Sequence, residues 1–198
     1  MRCRTYGLLV AAAALAVLMA SGTVALAATI ECSGGYCVGT EEADTMTGTA
    51  TTDEMHGLGG PDSLFGWDGD DASLQGGRGN DTLKGGKGND GLAGYFGNDR
   101  LYGGLGDDEM RGDDDWDYPN RTDGQDRLYG GEGNDSLWGY YGDDALFGRD
   151  GNDFINAFDD ERFTGGEDIV DCGKGHDVVI FDKGVDKVDK NREVRIGT

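Results

Sequence analysis

Proline is almost missing from this chain, with only Pro61 and Pro119, and histidine is as scarce, with only His56 and His176. Neither histidine stands in a helical two-histidine metal motif or beside a plausible nucleophile, which removes the usual basis for general acid–base chemistry. No Gly-x-Ser-x-Gly elbow and no Gly-x-x-x-x-Gly-Lys-[Ser/Thr] run occurs, so the sequence carries neither of those signatures of acyl or phosphoryl transfer. Basic residues are few, 17 against 39 acidic ones, and the formal net charge is −22. So acidic a chain repels nucleic acid and anionic lipid, and its compact state suffers self-repulsion unless cations bind. Beyond the N-terminus there is no apolar run long enough to span a bilayer.

The one apolar run reads as an export signal over residues 1–27. Arg2 and Arg4 form its positive end, Leu8 to Ala20 its apolar stretch, and Ala25-Leu26-Ala27 a small-x-small cleavage site. Cleavage there would leave no membrane span and a formal charge of −24. Cys3 would leave with the signal. Cys32 and Cys37 bracket a Ser-Gly-Gly-Tyr turn in the segment 28–38, and a disulfide between them is expected in an oxidising compartment; the rival is a zinc site, for which no other Cys or His is close in sequence.

What the chain has in abundance is glycine, 38 residues of it, set in a nine-residue period from Gly39 to Asp189. Intact copies read Gly76-Gly-Arg-Gly-Asn-Asp81-Thr-Leu-Lys84, Gly85-Gly-Lys-Gly-Asn-Asp90-Gly-Leu-Ala93 and Gly130-Gly-Glu-Gly-Asn-Asp135-Ser-Leu-Trp138. Aspartate holds the sixth position of every unit. The eighth is always apolar, from Met46 through Leu64, Leu101 and Ile155 to Val188, a phase that disordered low-complexity sequence has no reason to keep. Three departures punctuate the pattern: an extra residue between Asp71 and Leu74, and long insertions near 112–125 and 157–166. A tail of residues 190–198 follows. In the first two units Thr40, Glu42, Thr49 and Thr51 replace glycines, which predicts poor metal turns that cap the stack. The β-branched residues that accumulate from Ile169 predict better-ordered strands at the C-terminal end, closing the solenoid.

A short fixed period means one local structure stacked on itself, and this nonapeptide predicts an all-β parallel β-roll, a β-solenoid with Ca²⁺ in its turns. Calcium accepts six to eight hard oxygen ligands, including backbone carbonyls beside carboxylates. A glycine-rich turn can aim carbonyls inward because glycine tolerates the dihedrals required. Positions seven to nine then make a short strand with the eighth side chain facing in. Two units make one coil, so alternate turns stack along one edge with an ion between neighbours.

These residues resemble the hemolysin-type (RTX) calcium-binding repeats, G-G-x-G-x-D-x-U-x with U a large apolar residue, over about three quarters of the chain. The resemblance implies that Asp81, Asp90, Asp99, Asp108, Asp135, Asp144 and Asp153, each preceded by Gly-Asn or Gly-Asp, are carboxylate ligands. Asp62 and Asp71 join them in a looser fit, beside Pro61 and the extra residue. It also implies a second C-terminal cysteine to accompany Cys172, where this chain has Asn191 and Arg192.

Parity adds a further expectation. If each stretched unit is a single long turn, both insertions fall on one edge, where Tyr95, Phe96, Trp116, Tyr118, Tyr140 and Tyr141 gather. The cluster reads first as a plug packed over the long turn, and second as a patch for a cell-surface glycan or protein. Function is thus expected to be that of a secreted, non-enzymatic calcium-binding protein whose folding depends on the metal. The alternative is a calcium-stiffened adhesion or carbohydrate-binding protein using the patch near Trp116.

Overall fold

The computed structural model describes residues 27–113, 124–159, 166–182 and 185–189, together with the backbone of 194–197. Residues 1–26 of the expected signal, and Trp116 and Tyr118 of the expected patch, lie outside the described residues. Among the described residues every regular element is a strand, and no helix is long and apolar enough to cross a membrane.

Numbered in chain order, the strands alternate between two sheets. The first sheet contains β1 (Ala28–Glu31), β3 (Asp44–Thr47), β5 (Ser63–Asp68), β7 (Thr82–Lys87), β9 (Arg100–Leu105), β11 (Arg127–Glu132), β13 (Ala145–Asp150), β15 (Ile169–Asp171) and β17 (Lys187–Val188), side by side in that order. The second contains β2 (Gly35–Val38), β4 (Asp53–Gly59), β6 (Ser73–Arg78), β8 (Gly91–Phe96), β10 (Glu109–Arg111), β12 (Ser136–Trp138), β14 (Phe154–Ala157), β16 (Val178–Phe181) and β18 (Val194–Gly197). Each strand pairs in parallel with its second neighbour in sequence, so two units make one coil of a β-solenoid.

The eighth position forms the core. Leu64, Leu83, Leu101, Leu128, Leu146 and Val170 lie in register along the first sheet. Met55, Leu74, Leu92, Met110, Leu137, Ile155 and Val179 do so along the second. All are buried, and together with Met46 they make nearly all of one continuous apolar cluster. Each buried Leu or Met contributes about 1.5–3 kcal/mol of transfer free energy. The roll has one such side chain per strand and therefore a thin core for its length.

Two sequence expectations need correction. Most strands from β5 to β13 are six residues long, running past positions seven to nine into the first three residues of the next unit, while β10 and β12 keep to positions seven to nine. The cause is alternation: if the eighth side chain faces in, so does the first residue of the following unit, and glycine there lets the sheet continue inward-facing without filling space. The C-terminal strands are not the better formed ones. Despite their β-branched residues, β15, β16 and β17 have three, four and two residues. Every strand of six or more residues carries glycine at the first position of the following unit, as Gly85 and Gly130 do, whereas Ala157, Cys172 and Phe181 stand there in the C-terminal units.

The stretched segment beyond Arg111 leaves the alternation intact. β9 pairs with β11 and β10 with β12, so β10 and β11 stand in opposite sheets. The extra residue Ala72 is taken up where the chain enters β6, its amide donating to the Asp53 carbonyl at 3.2 Å. Cys32 and Cys37 are joined by a disulfide with their Cα atoms 5.8 Å apart, beside the first coil. On the outer surface of the first sheet Tyr102, Tyr129 and Phe147 stack at 4.9 and 4.8 Å, the spacing of adjacent strands.

Candidate metal centre

The sixth-position aspartates form two ladders, one along each edge of the roll. On one edge the main-chain amide of each aspartate donates to Oδ1 of the aspartate one coil later: Asp62 to Asp81 at 2.7 Å, Asp81 to Asp99 at 2.7 Å, Asp99 to Asp126 at 2.8 Å, Asp126 to Asp144 at 2.9 Å. On the other edge Asp71 donates to Asp90, Asp90 to Asp108, Asp108 to Asp135 and Asp135 to Asp153, each at 2.9 Å. The ladders continue to Asp168 and Asp177. Pro61 and Ala72 do not disturb them, so Asp62 and Asp71 stand as their neighbours do.

Each carboxylate therefore has one oxygen occupied. The second, Oδ2, is buried and accepts no hydrogen bond in Asp62, Asp71, Asp81, Asp90, Asp99, Asp108, Asp135, Asp144, Asp153, Asp168 and Asp177. A buried carboxylate oxygen without a partner is costly, and eleven in register demand a common explanation. The surroundings of these atoms are oxygen-rich. In most units the first glycine sits against its own Oδ2 and a carbonyl of the next coil: a Cβ at Gly66 would collide with the Asp71 carboxylate and lie 2.7 Å from the Gly85 carbonyl oxygen. The turns also approach backbone to backbone, so that a Cβ at Gly86 (φ 125°) would run into the Trp67 carbonyl. Among the described residues no three His, Cys, Asp or Glu side chains converge, so each turn supplies one carboxylate with main-chain oxygens around it. A hard cation of variable coordination fits that donor set, as Ca²⁺ does; a thiolate- or imidazole-seeking metal does not.

The electrostatics point the same way. Burial, joined by the charge of neighbouring carboxylates, pushes Asp62, Asp81, Asp99, Asp108 and Asp153 up to about 7 and Asp168 to about 8, against the lowering effect of the ladder amides. Burial raises Asp71 and Asp135 to about 6, and raises Asp90 and Asp144 as well. Without a counter-ion the ladders hold protons near neutrality, and a divalent cation between turns would reverse that balance.

The first and last turns differ. Asp44 Oδ2 accepts the Thr40 amide at 2.6 Å and its hydroxyl at 3.0 Å, and Asp53 Oδ2 accepts the Thr49 amide and hydroxyl at the same distances. Asp186 Oδ2 accepts the Asp182 amide at 2.6 Å.

All nine aspartates singled out from the sequence thus lie on the ladders with Oδ2 unsatisfied. Two more of the same geometry, Asp168 and Asp177, were not among them, although their sixth-position place marked them. A second, outer ladder went unread: the fifth-position Asn89 Oδ1 accepts the Asp107 amide at 2.9 Å, and Asn134 Oδ1 the Asn152 amide at 3.0 Å. The Asn or Asp before most of these aspartates is its signal in the sequence, with Pro61 before Asp62 an exception. Of the aromatic cluster, Tyr95, Phe96, Tyr140 and Tyr141 are half-buried on the edge that carries the stretched turns, with the Tyr95 amide donating to the Gly112 carbonyl at 2.9 Å.

A family model described as RTX calcium-binding nonapeptide repeat matches the sequence in four copies, at residues 47–72, 73–101, 93–118 and 121–155, which together span more than half of the chain. No curated protein matches it.

Proposed function

The chain belongs to the RTX calcium-binding nonapeptide repeat family, whose repeats bind Ca²⁺, and from that premise we propose that it is a secreted, non-catalytic protein that calcium folds into a stiff β-roll. Asp62, Asp71, Asp81, Asp90, Asp99, Asp108, Asp135, Asp144 and Asp153 are the carboxylate ligands in this reading, each giving Oδ2 to an ion between its turn and the next on the same edge. The observation that carries it is the row of buried Oδ2 atoms without a hydrogen-bond partner, beside carbonyl oxygens. The unfolded chain has no such sites, so every ion bound adds its binding free energy to folding. Affinities on the order of 10⁻⁴ to 10⁻³ M, as in extracellular modules, suit a protein that folds where calcium is plentiful. The signal-like residues 1–27 support export. A role without catalysis fits the histidines: His56 contacts Glu54 at 3.1 Å, and the His176 amide donates to Asn152 in the outer ladder.

A calcium titration of the mature chain followed by circular dichroism tests the reading. A cooperative gain of β signal is expected with Ca²⁺ and little with Mg²⁺, which requires a tighter octahedron and dehydrates reluctantly. Identical spectra at all calcium concentrations would refute it.

A further inference from the structure

The turns share a sixth-position aspartate but differ at the second position of the unit, and the difference follows the state of the carboxylate. The stretched units beginning at 112 and 157 have Asp113 and Phe158 there, without positive φ. In the unstretched units of the middle of the roll the second residue has positive φ, whether it is glycine, as Gly86 (125°), or a bulky residue, as Trp67 (83°), Tyr95 (76°) and Arg149 (83°). Its amide then serves the sheet or the next coil, as Tyr95 does with the Gly112 carbonyl. Oδ2 of the aspartate four residues on is left unsatisfied: Asp71 behind Trp67, Asp90 behind Gly86, Asp99 behind Tyr95, Asp153 behind Arg149.

At the two ends the second residues are Thr40, Thr49 and Asp182, and none of them has positive φ. Their amides turn onto Oδ2 of Asp44, Asp53 and Asp186, each at 2.6 Å. Threonine is β-branched and resists the left-handed region. Its hydroxyl also gives the closed turn a second hydrogen bond, at 3.0 Å in both Thr40 and Thr49, which Trp, Tyr or Leu cannot supply.

We propose that in each unstretched unit, where the aspartate stands four residues on, the second residue decides whether the turn takes calcium. A residue at positive φ leaves the aspartate Oδ2 open to an ion. Thr or Asp folds its own amide onto that oxygen and closes the site. The units beginning at 39, 48 and 181 are therefore calcium-independent ends, and the metal ladders run from Asp62 and Asp71 to Asp168 and Asp177. The first coils, with the Cys32–Cys37 disulfide beside them, form a seed that exists before calcium arrives and onto which the ion-bridged coils add.

This inference rests on the calcium reading above, and one set of measurements separates the two. Bound calcium per mature chain is counted by equilibrium dialysis at saturating Ca²⁺, with circular dichroism on the same samples. T40G/T49G is expected to gain one ion per opened turn, and W67T to lose the ion at Asp71, while W67G keeps the wild-type count. W67T lies inside the roll and carries the test independently of fraying at the end. A second readout is hydrogen exchange in chelator, where the Thr40 and Thr49 amides should be protected in the wild type and unprotected in T40G/T49G. A wild-type chain that binds calcium, with T40G/T49G and W67T both at the wild-type count, overturns the role of the second residue and leaves the calcium function standing. A wild-type chain that binds none overturns both.

Discussion

Each ladder aspartate divides its two oxygens between two tasks, and substitutions separate them. Asp99→Asn keeps an oxygen able to accept the Asp81 amide, which the carboxylate now holds at 2.7 Å, but replaces the charged, unsatisfied Oδ2 with a neutral group. In chelator the variant should be at least as stable as the wild type, because a buried charge is gone. In saturating calcium it should be less stable; a tenfold loss of affinity at one site corresponds to about 1.4 kcal/mol. The β signal in chelator and the midpoint of the calcium titration, both read by circular dichroism, check the change of sign, and a variant with the wild-type midpoint would mean that Oδ2 meets no ion. Trp67 tests the backbone in the same way. It is 60 % exposed and holds φ 83° where the next two units have Gly77 and Gly86, a conformation that costs a non-glycine residue roughly 1–3 kcal/mol. Trp67→Gly should therefore raise the calcium-loaded melting temperature. A lower one would show that the indole contributes more than its backbone strain takes away.

At the scale of the ladder the aspartates behave as a set, and their protons set a pH dependence whose sign depends on calcium. A carboxyl whose pKa rises from 3.8 to about 7 on folding, as in Asp81 and Asp99, binds its proton more tightly in the roll than in the unfolded chain. Between those values the native state holds more protons, so in chelator stability falls as pH rises from about 4 to about 7. With calcium present the order inverts, because protons compete for the same Oδ2 atoms, and stability rises through that window. The β signal from pH 4.5 to 8 with and without Ca²⁺ should converge at the acid end and diverge towards neutrality; parallel profiles would rule out shared oxygens. The ladder also marks how far the sequence was legible. Period nine, aspartate at six and an apolar residue at eight sufficed for the solenoid and for nine of the ladder positions, because each is a local rule repeated in phase. The division of labour between Oδ1 and Oδ2 was not legible, since it depends on an amide one coil away, 18 residues off for Asp81 and 27 for Asp99. Thr40 and Thr49 were visible as missing glycines, but only the fold revealed their hydroxyls on the carboxylates. Strand lengths differ from expectation for a related reason: β-propensity favours the valines after Ile169, whereas the long strands are all ones that run on through an inward-facing glycine, which Cys172 and Phe181 replace near the C-terminus.

For the whole molecule the governing fact is that, among the described residues, each strand pairs with those of the coils before and after it. Stability in such a stack is a sum of unit and neighbour terms, and folding spreads from coil to coil. The acidic chain, at −22, opposes that spread until cations enter the turns, so calcium and core act together: ions remove the repulsion between turns and the in-register leucines bind the strands behind them. A break in the core should therefore act by position. Leu101 is fully buried between Leu83 and Leu128 in mid-stack, whereas Met46 is equally buried between Ile30 and Leu64 near the start. Burying an unpaired carboxylate is prohibitive at either site. Leu101→Asp should cut the roll into two shorter stacks, giving a calcium titration with two transitions and protease cleavage near the substitution. Met46→Asp should shift a single transition to higher calcium and expose only the first coils. If both variants shift one transition alike, folding is concerted over the whole roll, and the stack cannot be treated as a sum of neighbours.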